Sequence, residues 1–160
     1  KSQHPALTAD DTATLYSMTG GSLGQALQYA EEGGLQALTL VVDLLASWPD
    51  WDWQTIHNTA GQFALKGQEQ KLKAFQSVIL WLCDSILRAK AKGHTAPEGL
   101  SPQHQDQLSA LIQAYSLEAW SKICENLTEH IKTCEDSNLD KKYIIMGCFH
   151  IFDQIRREAA

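Results

Sequence analysis

The side chains best suited to chemistry in this sequence lie close together at Glu129, His130 and Cys134. On a helix, His130 and Cys134 stand one turn apart on one face, a spacing that suits two ligands of a soft divalent metal. A metal centre needs further converging ligands. The sequence has no Cys-x-x-Cys, no His-Glu-x-x-His and no Glu-x-x-His, so the dinuclear carboxylate bundles are excluded as well. The simpler expectation places Cys134 in a core and His130 at its edge, with no metal and no cofactor.

Nucleophilic catalysis requires a base oriented beside an activated Ser or Cys. His57, His94, His104 and His150 are candidates by residue type alone. His94 and His104 fall in or beside a Pro/Gly-rich stretch, and Cys148 and His150 point to different sides of one helix. No strand–turn–helix nucleophile elbow and no spaced carboxylate pair occurs, so no catalytic residue is expected.

Gly20-Gly21-Ser22-Leu23-Gly24 is the one glycine-rich segment, and it leads straight into helical periodicity. Free N–H groups at such a helix start attract anions. The segment is no P-loop, since no strand precedes it and no Lys follows in the required place. Taken alone it reads as a turn between two helices. The basic residues Lys66, Lys71, Lys73, Arg88, Lys90 and Lys92 are spread loosely, as on a solvated face.

The elements that must carry these residues are helical throughout. Thr8 with Asp10 and Asp11 marks a capped helix start, Gly20-Gly21 its end, Ser22 the cap of a second short helix, and Gly33-Gly34 the end of that one. A third helix is expected over 35–48, with Leu38, Val41, Val42 and Leu45 on one face, Leu40 and Leu44 widening it, and Pro49 stopping it. Asp52 caps a fourth, with Ile56, Phe63 and Leu65 as its apolar members up to Gly67, and Trp48, Trp51 and Trp53 wedge the corner. Over 70–91, Leu72, Phe75, Ile79, Leu82 and Ile86 alternate spacings of three and four, the seam of a helix packed lengthwise in a bundle. Residues 93–102 hold Pro97, Gly99 and Pro102 and are expected to form a mobile exposed loop with few packed contacts. Leu108, Leu111, Ile112 and Tyr115 mark the next helix, and Leu117, Trp120, Cys124, Leu127, Ile131 and Cys134 another. Asn138 caps the last, whose apolar residues from Ile144 to Ile155 cover more than one face, so that it is central or meets a partner. With no period-two run and no internal repeat, the fold class is all-α: a helical bundle preceded by a short helix pair.

A chain of 160 residues supports one main core. It opens at Lys1 with no initiator Met and no leading apolar stretch, and so reads as part of a longer protein without a signal peptide. The apolar runs at 35–45 and 78–87 fall well short of the roughly 20 residues that a bilayer span needs, so no membrane association is expected. The net charge of −6, from 13 Lys and Arg against 19 Asp and Glu, opposes a direct hold on nucleic-acid phosphates. Cys83, Cys124, Cys134 and Cys148 lie inside apolar helical patterns, as reduced core residues of a cytoplasmic protein do.

Two segments resemble the delta prime subunit of the bacterial DNA polymerase III clamp loader, in particular its alphaproteobacterial versions. Gly20-Gly21-Ser22-Leu23-Gly24-Gln25-Ala26-Leu27, followed by Ala30-Glu31-Glu32-Gly33-Gly34-Leu35, is similar to the family's Gly-Ser-x-Gly-Arg-Ala-Leu at the end of the helical lid of an AAA+ ATPase module. Asn138-Leu139-Asp140-Lys141-Lys142 and its long apolar helix look like the family's Asn-Leu-Asp-Arg-Lys ending. Between them, Leu117-x-x-Trp120 and the helix order look like the family's C-terminal collar.

The resemblance implies that residues 1–34 end a lid and that 35–160 form a collar, the oligomerisation domain of a pentamer in which delta prime is the stator. Its implied partners are the gamma/tau and delta subunits, with DNA and the sliding clamp reached only through the complex. Gly21, Ser22, Gly24 and Gln25 would form a degenerate sensor-2 segment, Gln25 standing where active ATPases carry an Arg. A neutral amide lacks the charged fork that grips phosphate, so no nucleotide hydrolysis is expected. Trp81, Trp120, Tyr143, Phe149 and Phe152 are the candidate subunit-interface residues. Two other readings compete: a helical adaptor unrelated to replication, with an apolar groove for a partner helix, and an enzyme or carrier with a polar-lined central pocket.

Overall fold

A computed structural model describes residues 7–137 and 140–158. Among them are eight helices and no strand: α1 (Ala9–Met18), α2 (Leu23–Glu31), α3 (Gly34–Leu45), α4 (Trp53–Phe63), α5 (Glu69–Ala91), α6 (Pro102–Ala114), α7 (Leu117–Asp136) and α8 (Lys141–Glu158). The protein is an all-α helical bundle.

Short polar side chains set most of the helix starts. The Thr8 hydroxyl accepts from the Asp11 N–H while the Asp11 carboxylate accepts from the Thr8 N–H, a reciprocal capping box. Ser22, Asp52, Ser101 and Ser116 accept from the backbone N–H three residues on. The expected cap Asn138 lies outside the described residues; at that end the Asp140 carboxylate accepts from the Lys142 N–H at 2.9 Å.

The third helix ends at Leu45, the last residue of its apolar pattern and three residues short of the expected end at 48. Ser47 and Trp48 donate to carbonyls three residues back, Ser47 Oγ takes the Leu44 carbonyl at 2.7 Å, and the residue before Pro49 is kept out of helical geometry. Leu65 likewise escapes the core: α4 stops at Phe63, and Leu65 is 61 % exposed.

The core is continuous from α3 to α8. Helix α5 runs between α3 and α7, α8 lies against both α7 and α4, and α6 covers α3. Phe75, Trp120, Phe149 and Phe152 are fully enclosed, and Trp51 sets its ring against both Phe149 and Phe152 at 5.9 Å. Offset and edge-on arrangements of this kind suit the aromatic quadrupole. The apolar residues of α8 spread over more than one face because α8 is central, with α4 on one side and α7 on the other.

The pair α1 and α2 packs on itself and joins the bundle at Gly33, whose φ of +85° reverses the chain. The expected boundary after residue 34 falls just inside α3. The stretch 93–101 departs from its expectation as a loop with few contacts. Pro97 and Leu100 are buried, the Gln105 amide donates to both their carbonyls at 3.0 Å, and the Thr14 hydroxyl donates to the Gly99 carbonyl at 2.6 Å. Side-chain donors from both flanks thus satisfy loop carbonyls that an exposed loop leaves to water.

Candidate interaction surface

The glycine-rich segment forms the junction between α1 and α2. Gly20 and Gly21 take positive φ, and the ring of Tyr16 lies 3.2 Å from where a Gly21 side chain would begin. The Ser22 hydroxyl is engaged with the Gln25 N–H at 3.3 Å, while Gln25 itself is exposed. No acidic or basic side chain stands in the first turn of α2. The junction therefore presents a neutral capped helix start.

His130 and Cys134 do share a face, as their spacing predicts, but both are engaged. His130 Nε2 lies 3.0 Å from the Ile144 carbonyl. A carbonyl only accepts, so Nε2 carries the proton and is closed to a metal. Its ring covers Gly147 and meets the edge of Tyr143. Among the described residues no three His, Cys, Asp or Glu side chains converge.

The other candidates for chemistry are dispersed. His57 Nε2 accepts from Lys142 Nζ at 2.8 Å, His150 stacks on Trp53 with ring centres 4.7 Å apart, and His94 is exposed. Partial burial of His104 disfavours its charged form and lowers its pKa. Burial raises all four thiol pKa values, Cys124 to about 11 and Cys148 to about 12. Burial thus favours the protonated thiol over the reactive thiolate, with Cys83, Cys134 and Cys148 inside the core and Cys124 half-buried at its edge. The basic residues also fail to converge: Arg88 pairs with Asp84 at 2.9 Å, and Lys90 donates to the Ile112 carbonyl at 3.0 Å.

The candidate interface residues divide sharply. Trp120, Phe149 and Phe152 have no accessible surface, so they cannot touch a partner while the fold stands; their place at an interface is corrected to the core. The indole N–H of Trp120 is satisfied internally by the Ile112 carbonyl at 3.2 Å. Periodicity identifies apolar residues but does not rank the faces of a helix covered on two sides. Trp81 is half-buried beside Gly99, and Tyr143 is 55 % exposed.

The surface holds one feature that the sequence pattern only hinted at. Between the end of α2, α3, α4 and the start of α5 lies an open groove of about 780 Å³, with Ala37, Leu40 and Phe63 on its apolar side and Glu32, Gln62 and Lys71 among its polar walls. The signal for it was Leu40, which widens the apolar stripe of α3 beyond what the bundle covers. Exposed Leu65 follows directly after this end of α4.

No protein-family model, no curated protein and no solved structure matches this chain. Among the described residues no helix is long and apolar enough to cross a membrane.

Proposed function

We propose that this chain is the lid end and collar of a delta prime-type clamp-loader subunit, a cytoplasmic, non-catalytic oligomerisation element of bacterial DNA replication. The observation that carries the reading is the junction at Gly20–Leu27. The segment that resembles the family's sensor-2 motif lies at a Ser-capped helix start, in a helix pair joined through Gly33 to an all-α bundle. Exposed Gln25 supports a subunit that does not hydrolyse ATP, because no cation is offered to a phosphate there. Its partners would be the gamma/tau and delta subunits, with DNA and the sliding clamp reached only through them. With Trp120, Phe149 and Phe152 in the core, the subunit contact would rest on Tyr143, Trp81 and the groove beside Leu40 and Phe63.

The groove also favours a second reading, a helical adaptor that takes one amphipathic segment without forming a ring. Light scattering on a sizing column separates the two. The chain is mixed with the collar regions of the motor and delta subunits, as wild type and with Tyr143→Glu or Leu65→Glu. A stoichiometric assembly weakened by either charge supports the clamp-loader reading. No association, under conditions where the other collars assemble, removes it and leaves the adaptor.

A further inference from the structure

We infer that the helix pair of residues 7–33 is a separately releasable unit, hinged at Gly33 and held shut by the 93–101 segment acting as a strap. The hinge is suited to movement. Gly33 occupies the left-handed region, and a side chain there would meet nothing closer than Gln36 at 3.8 Å. At Gly34, the first residue of α3, the Tyr29 ring and carbonyl fill the space where a side chain would be, so opening at Gly33 also lifts Tyr29 off the start of α3.

The strap is anchored to the bundle independently of the pair. Gln105 holds the carbonyls of Pro97 and Leu100, and Leu100 is 4 % exposed. Its hold on α1 is concentrated at one residue, Gly99. The Gly99 carbonyl accepts from the buried Thr14 hydroxyl, and the Gly99 Cα packs so closely that a side chain would lie 2.6 Å from Ser17 Cβ and 3.7 Å from the Trp81 ring. On the other helix, half-buried Tyr29 lines one surface pocket together with Ser77 of α5.

Little apolar burial supplements these fastenings. Leu15 and Ala26 are the buried apolar side chains described in the pair, Met18 and Tyr29 pack half-buried against the core, and Leu7, Tyr16 and Leu27 are exposed. The bundle, by contrast, encloses whole helix faces from α3 to α8. A unit with few buried apolar contacts opens at lower free energy than the whole domain. The contacts that hold the pair make it releasable whatever the chain assembles with.

Hydrogen exchange read by mass spectrometry on the full chain tests this, comparing wild type with Gly99→Val, Thr14→Val and the control Gly61→Ala, whose added methyl meets open space. Both strap variants are expected to speed exchange in α1 and α2 by about tenfold or more, as loss of a buried hydrogen bond implies. Helices α7 and α8 should keep wild-type protection, and Gly61→Ala should leave α1 and α2 unchanged. If Gly99→Val does not fold, the near-isosteric Thr14→Val decides. Three results overturn the inference: unchanged α1 and α2 in the variants, equal acceleration throughout α1 to α8, or α1 and α2 already unprotected in wild type.

Discussion

The hydroxyl of Tyr115, just past the end of α6, donates to the backbone carbonyl of Phe152 in α8 at 2.9 Å, across 37 residues of sequence. Around this bond the Tyr115 ring meets Trp120 and Phe152 nearly edge-on, at 5.7 and 6.3 Å. The α6–α7 corner is thereby fastened to the last helix by one polar contact within an aromatic cluster. Tyr115→Phe keeps the ring and removes the bond, at an expected cost of about 1 kcal/mol. Urea unfolding should show a lower midpoint with an unchanged slope; an unmoved midpoint would show the bond to be neutral.

Gly147 carries the ring of His130 where its own side chain would be. Gly147→Ala should therefore cost about 1–3 kcal/mol by overpacking, despite the better helix propensity of Ala. Combining it with His130→Ala should give a total below the sum of the two single losses, since the same contact is relieved. Additive losses in thermal denaturation would place the strain elsewhere.

The acid response of α4 follows from its cap. The Thr55 hydroxyl, at 2.6 Å, and the Thr55 N–H hold the Asp52 carboxyl below its ordinary value of 3.8. The unfolded chain thus binds this proton first as pH falls. The stabilisation is complete above the unfolded value and is lost as pH drops through the lowered native one. The gap in thermal midpoint between wild type and Asp52→Ala should be full at neutral pH and shrink below about pH 4. A gap constant down to pH 2 would contradict the assignment.

The thiols should be nearly silent in the folded protein. At pH 8 a group with a pKa of about 11 is ionised to only about one part in a thousand, and the thiolate is the reacting form. Cys124, the half-buried one, should react slowly with an aromatic disulfide reagent, and Cys83, Cys134 and Cys148 only on unfolding. Rapid titration of several thiols in native buffer would mean that the core opens readily.

Truncation separates core from surface at the two ends of the interface question. Phe149→Ala should cost about 3–5 kcal/mol, and Tyr143→Ala should stay within about 0.5 kcal/mol in the isolated chain. Chemical denaturation of both variants checks this, and a large loss at Tyr143 would show that its ring, beside His130, belongs to the fold.

Local signals made the fold class legible. The caps at Thr8, Ser22 and Asp52 and the three-four seam from Leu72 to Ile86 each appear where the residue types required them. Two failures share a cause. Sequence pattern alone points Trp120, Phe149 and Phe152 outward and leaves residues 93–102 loose, because both depend on which distant element lies opposite. Periodicity marks a face as apolar without saying what covers it, and Gly99 gives no hint that Thr14, 85 residues away, bonds its carbonyl. Leu40 widens the core stripe as its spacing predicts and also borders an open groove; only the arrangement of α3, α4 and α5 leaves that side uncovered.

The wedge at the corner before α4 has an optical consequence. The Trp51 indole N–H is enclosed and finds no acceptor among the described residues, while its ring sits between Phe149 and Phe152. An indole kept from water emits toward the blue, and it shifts red once solvent reaches it. Trp51 is thus a built-in lamp on the seating of α8, and in a chain reduced to Trp51 as its single tryptophan the colour of emission would report whether that last helix is home.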